Sequence, residues 1–135
     1  MKILTLTFTL LTATVQAQSL DKFMSAIHQV ETSSVQVGDH GKAIGPFQIW
    51  HSYWSDAKEF DPTLGGSYRD CYRYDYAKRV VEAYLKRHAP TLMAKRDYYT
   101  MARIHNGGPS GYKKASTNDY AQRVVNLMKY ERQTH

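Results

Sequence analysis

Between Leu20 and Val30 the apolar residues Leu20, Phe23, Met24, Ile27 and Val30 recur at the i, i+3, i+4, i+7 spacing of a helix with one buried face. At about 100° per residue, Glu31 does not fall on the opposite, wet side. It projects within the arc swept by Leu20, Met24 and Ile27, so a carboxylate stands on the core-facing stripe at the last helical turn. A carboxylate taken out of water has its charged form disfavoured and holds its proton toward neutral pH. That is the property a general acid needs to protonate a leaving oxygen. The plainer alternative is a Glu31 side chain that escapes to solvent where the helix frays.

Ser19 or Asp21 can cap this helix. The polar stretch Thr32 to Ala43 follows, in which Gly38 and Gly41 permit backbone angles that other residues resist. Asp39 sits between Gly38 and His40, a setting that suits a turn former as well as a catalyst. In Gly45-Pro46-Phe47-Gln48-Ile49, Phe47 and Ile49 alternate toward a core. Gln48 is expected on the other side, where a primary amide can donate and accept toward sugar hydroxyls or acetamido groups. Trp50, His51, Tyr53 and Trp54 come next on a short helix, mainly as packing, with one of them lining a saccharide subsite as the lesser alternative. Asp61-Pro62-Thr63-Leu64-Gly65-Gly66 has the composition of a loop.

A long helix is predicted from Asp75, with Tyr76, Val80, Val81, Tyr84 and Leu85 on one face, stopping before Pro90. A shorter one runs from about Arg96 to Ile104 and ends at Asn106-Gly107-Gly108-Pro109. The last spans about Asn118 to Tyr130, with Tyr120, Val124, Leu127 and Met128 inward. His105, at a helix end, either answers the helix dipole or serves a ligand.

The order Val30-Glu31-Thr32-Ser33, Gly38-Asp39, Gly45-Pro46-Phe47-Gln48-Ile49, Tyr53-Trp54-Ser55-Asp56 resembles the invertebrate-type lysozyme (destabilase) family. Far along the chain, Ala102-Arg103-Ile104-His105-Asn106-Gly107-Gly108-Pro109-Ser110-Gly111 looks like that family's other signature segment. The glutamate-ended helix followed by a Gly-x-x-Gln-Ile turn is similar to the lytic transglycosylases as well, which widens the group to lysozyme-like proteins.

The resemblance implies a mainly α (α+β lysozyme-like) fold: a helical domain around a hydrophobic central helix, with a small β-hairpin lobe at Thr32–Ala43 beside a cleft. It implies a muramidase that hydrolyses the β-1,4 bond between N-acetylmuramic acid and N-acetylglucosamine. Glu31 would be the acid and Asp39 the second carboxylate, although its spacing from Glu31 is shorter than in disulfide-bearing members. Gln48, Tyr53, His105, Asn106 and Gly107 would bind the sugar. Two alternatives stay open: a lytic transglycosylase giving 1,6-anhydro products, and a non-catalytic glycan-binding or inhibitory module.

Residues 1–17 carry one lysine, an apolar run and small residues ending Val15-Gln16-Ala17, which reads as a secretory signal peptide ahead of a catalytic domain at 18–135. The formal charge of +6 becomes +5 once Lys2 is removed, and a pI near 9.4 favours polyanions. Export points to the bacterial cell-wall surface as that partner. No arginine-rich run or nucleic-acid module is present, so nucleic acid is not expected. Nor are a membrane span, a cofactor or a bound metal, and the protein is expected to be a monomer. Cys71 is the sole cysteine, which excludes an intramolecular disulfide and leaves stability to an aromatic core, in a chain with 11 tyrosines. Cys71 itself reads as a small hydrophobe.

Overall fold

The computed structural model describes residues 19–32 and 41–133. The expected signal peptide and Asp39 lie outside the described residues. Helix α1 covers 19–32, and Phe23, Met24, Ala26 and Ile27 on its stripe are completely buried. Strands β1 (Ala43–Ile44) and β2 (Ile49–Trp50) pair antiparallel, Ala43 opposite Trp50 and Ile44 opposite Ile49. The described hairpin is thus centred on Gly45–Gln48, at the far border of the segment expected to carry it. The helices that follow are α2 (His51–Phe60), α3 (Tyr74–His88), α4 (Pro90–Lys95), α5 (Tyr98–Gly107) and α6 (Asn118–Gln133). Short 3-10 turns at Pro62–Leu64, Tyr68–Tyr72, Gly111–Lys113 and Ala115–Thr117 join them.

Helix α3 forms the centre. Tyr76, Ala77, Val80, Val81, Ala83, Tyr84 and Leu85 are buried along it, and Lys78 Nζ reaches Asp21 Oδ1 of α1 at 2.5 Å. Arg87 Nη1 holds Asp56 Oδ1 of α2 at 2.8 Å, and His88 Nε2 contacts the other carboxylate oxygen of Asp56. The apolar faces of α1, α2, α5 and α6 close around α3 in one core cluster.

The hairpin turn has two residues in the left-handed region, Gly45 (φ +77°) and Gln48 (φ +48°). Glycine adopts that region without strain, whereas Gln48 needs local support. It finds it in Gly45, whose carbonyl accepts from the Gln48 backbone N–H at 3.1 Å and from its amide Nε2 at 2.9 Å. Phe47, between them, is fully buried, a burial that stabilises the turn by roughly 2–3 kcal/mol. Tyr68 Oη adds a clamp, donating to the carbonyls of Lys42 (3.1 Å) and Ile49 (2.7 Å).

Two elements differ from expectation. Proline at Pro90 ends α3 as predicted but also starts α4, since its missing N–H is harmless in a first turn. The next helix then begins at Tyr98 instead of Arg96: Arg96 is left-handed (φ +55°), and Asp97 caps α5 by accepting from the Thr100 N–H at 3.1 Å. At the other end of α5, Gly108 takes φ +86°, the glycine stop the sequence indicates. Cys71 is completely buried, as a small hydrophobe would be.

Candidate active site

Glu31 stands at the end of α1 with its side chain 13% exposed. Two groups from distant parts of the chain approach the same carboxylate oxygen. Tyr120 Oη, on α6, donates to Glu31 Oε1 at 2.8 Å. His105 Nε2, on α5, lies 3.6 Å from that oxygen, an electrostatic approach just beyond hydrogen-bond range. His105 is itself buried, and its Nδ1 is 2.9 Å from Tyr53 Oη on α2. The direction of the Tyr53–His105 bond follows the tautomer of the ring. Tyr53, His105, Glu31 and Tyr120 thus form one continuous polar chain through an otherwise apolar interior.

Burial dominates the electrostatics of this chain. It raises the Tyr53 phenol well above its ordinary value, with Tyr84 and the Glu31 charge adding to the effect. Burial likewise raises Tyr120, reinforced by the nearby Glu31 charge and by the hydrogen bond to it. Both phenols therefore stay protonated and able to donate across the neutral range. Elsewhere in the core, burial pushes Tyr84 and Cys71 up to about 12.

These shifts predict an alkaline limit on stability. Each raises the folded-state value, so the native state holds its proton more tightly than the unfolded chain does. The stability this linkage carries is complete below the ordinary thiol and phenol values of 9.0 and 10.0, and is lost as pH climbs toward about 12. Thermal melts across that window should show Tm falling progressively from about pH 9 upward. A Tm flat throughout would contradict the burial of these groups.

Beside the chain runs an open groove of about 600 Å³. Tyr53 and His105 form part of its wall, together with Tyr84, Asp56 and Asn106. Tyr53 stacks on Tyr84 with ring centroids 3.6 Å apart and planes 13° from parallel, which fixes the phenol that orients His105. Glu31 is not among the groove's lining residues, but its Oε1 lies 3.6 Å from His105, which is.

The residues expected to bind sugar separate into two groups. Tyr53, His105 and Asn106 meet at the groove, with Asn106 exposed. Gln48 and Gly107 are not among its lining residues. Gln48 turns its amide nitrogen back onto the hairpin, as described above. Gly107 sits where a Cβ would come within 2.6 Å of Thr117 Cγ2, and its carbonyl accepts from Lys114 Nζ at 2.7 Å, so packing accounts for the glycine there. Tyr120 was expected as an inward core residue only. The signal for more was its polar tip: a buried tyrosine hydroxyl has to find a partner. Asp56 and Tyr84 also line the groove without having been expected there as site residues, and Trp50, one of the four aromatics with a saccharide subsite as its lesser reading, lines it too. Among the described residues no group of three His, Cys, Asp or Glu side chains is placed to hold a metal ion.

The destabilase family model matches residues 20–127. A lysozyme of Magallana gigas is 33% identical over 90% of this chain and 87% of its own length. A lysozyme of Meretrix lusoria is 36% identical over 77% of this chain and 86% of its own. Among solved structures, a chain in the crystal structure of Aeromonas hydrophila PliI in complex with Meretrix lusoria lysozyme is similar. It matches with a TM-score of 0.61 and 32% identity, covering 78% of this chain and 87% of that one.

Proposed function

The chain belongs to the destabilase family of invertebrate-type lysozymes, and from that premise we propose that it is a glycoside hydrolase of the lysozyme type, a muramidase that opens peptidoglycan. Its substrate bond is the β-1,4 linkage between N-acetylmuramic acid and N-acetylglucosamine. The observation that carries this reading is the placement of Glu31: enclosed, hydrogen-bonded by Tyr120, and approached by His105, a wall residue of the groove.

In the proposed mechanism Glu31 gives a proton to the glycosidic oxygen as the bond to the anomeric carbon breaks. Tyr120 and His105 hold the carboxyl in one orientation, which spares the reaction the entropy of finding it. Asp39 serves as the second carboxylate, stabilising or attacking the anomeric carbon from the opposite face. Retaining glycosidases place their two carboxyl groups about 5–5.5 Å apart for this purpose. Water then completes hydrolysis, with Glu31 returning as base. Asn106, at the groove, supplies an amide for the sugar's polar groups.

We also propose export, on the strength of the N-terminal 17 residues, and a bacteriolytic, antimicrobial role. The net positive charge would draw the enzyme to the anionic bacterial envelope. Among the described residues no helix is long and apolar enough to cross a membrane.

Mass spectrometry of digested peptidoglycan tests the reaction. Hydrolysis adds water across the bond, so the fragments should end in a reducing sugar and exceed the 1,6-anhydro mass by one water. Exclusively anhydro fragments would replace this mechanism with a transglycosylase in which Glu31 acts without Asp39. Intact glycan with measurable binding would replace it with a glycan-binding module.

A further inference from the structure

We propose that Trp50 is a stacking platform for a pyranose ring of the substrate glycan, setting how tightly the polymer is held and leaving the bond-breaking step to other residues. This rests on the glycoside hydrolase reading of the groove. Along β2 the side chains alternate, so Ile49 enters the core and Trp50 turns outward; the indole is 42% exposed and lines the groove with Tyr53, Tyr84, His105 and Asn106. Exposed aromatics occur elsewhere on the surface; what distinguishes Trp50 is its place in the groove wall, where a bound ligand would cover it.

The contrast with Trp54, four residues on, sharpens the point. Trp54 is half-buried, donates its Nε1–H to Tyr76 Oη at 2.9 Å, and packs against His51 and Tyr68 with centroids 5.3 and 5.9 Å away. Trp50 has no such ring neighbour among the described residues and no acceptor there for its Nε1–H. Lys42 Nζ lies over its ring, 6.0 Å from the centroid. A flat π face and a vacant N–H at its edge match a β-linked N-acetylated sugar. Such a ring presents C–H bonds on its face, which the negative face of the indole attracts, and hydroxyl and amide acceptors on its rim. Binding there buries apolar area equally in the ground state and in the transition state, so it lowers KM without altering kcat.

The chain has two tryptophans, which makes the test direct. Titrating the full chain with N-acetylglucosamine oligosaccharides should give a saturable change in tryptophan fluorescence. Trp54→Phe should keep that change and Trp50→Phe should lose it. Trp50→Ala should raise KM for peptidoglycan roughly tenfold with kcat within about twofold, and Trp50→Phe should raise it less. Circular dichroism melts establish that the variants remain folded. A full response in folded Trp50→Phe, or an unchanged KM in Trp50→Ala, would overturn the platform. Failure of the two readings is distinguishable. Cleavage by the wild type with a silent Trp50 sinks the platform alone. A Trp50-dependent binding signal without any cleavage sinks the hydrolase reading alone. Neither binding nor cleavage sinks both.

Discussion

Glu31→Gln is expected to slow cell-wall lysis by about a thousandfold or more while leaving the protein folded. Glutamine is nearly isosteric with glutamate, and its carbonyl oxygen can still accept from Tyr120 Oη, so the contact that ties α1 to α6 survives. The change replaces the titratable carboxyl with an amide that has no acidic proton to give. The neighbours described above do not take over that role. Tyr120 holds its proton too firmly, burial having raised it far above the neutral range, and Tyr53 is held the same way. His105 reaches Glu31 from one side and Tyr53 from the other, which makes it a positioning residue for the carboxylate. The pair of measurements is turbidity clearing and a thermal melt on the same preparations. Lysis within tenfold of wild type, in a variant with unchanged Tm, would remove Glu31 from the chemistry.

Gly45→Ala should give the largest loss of stability of any single methyl added to the hairpin. The glycine has φ +77°, where an L side chain is strained by roughly 1–2 kcal/mol. Space is the greater obstacle. A Cβ at that position would stand 1.9 Å from the Cys71 carbonyl oxygen and 2.8 Å from its carbonyl carbon. Those are backbone atoms of the Tyr68–Tyr72 turn, which cannot swing aside as a flexible side chain would. Relief requires β1 to separate from that turn, exposing Phe47 and Ile49, which are both wholly buried. We expect a cost of about 3 kcal/mol or more, or roughly 10–20 °C in Tm. Gly41→Ala is the control. Gly41 also has positive φ, but nothing lies within 4 Å of its would-be Cβ, so only the smaller backbone strain applies. Equal melting temperatures for the two variants would mean that the close approach of hairpin and turn is not what Gly45 serves.

What the sequence disclosed and what it withheld divide along the range of the interactions. The α1 stripe, the inward face of α3 and the glycine stop after α5 are set by neighbours within a turn or two. Periodicity and capping chemistry report them directly. The enclosure of Glu31 could be read as an angle on a helical wheel, because α1 has only one apolar face to bury. Its partners could not. Tyr120 meets Glu31 across 89 positions and Tyr53 meets His105 across 52, and no local pattern encodes such distances. The family-like motif around His105 and Asn106 marked that segment, but not which nitrogen faces which oxygen. Gln48 misled for a different reason. Strand alternation would put it opposite Phe47 and Ile49, whereas the left-handed turn folds its amide onto Gly45. The start of α5 was displaced because Arg96 takes a conformation that an arginine rarely adopts, and Asp97 supplies the cap.

A leaving group that needs no proton isolates the claim on which the account depends. The rate of Glu31→Gln should be measured on an N-acetylated oligosaccharide carrying a dinitrophenolate aglycone, beside the same variant on natural glycan. If Glu31 is the general acid, the variant retains most of its activity on the activated substrate and almost none on the natural one. Equal, severe losses on both would show that the carboxyl of Glu31 serves some purpose other than protonating the departing oxygen.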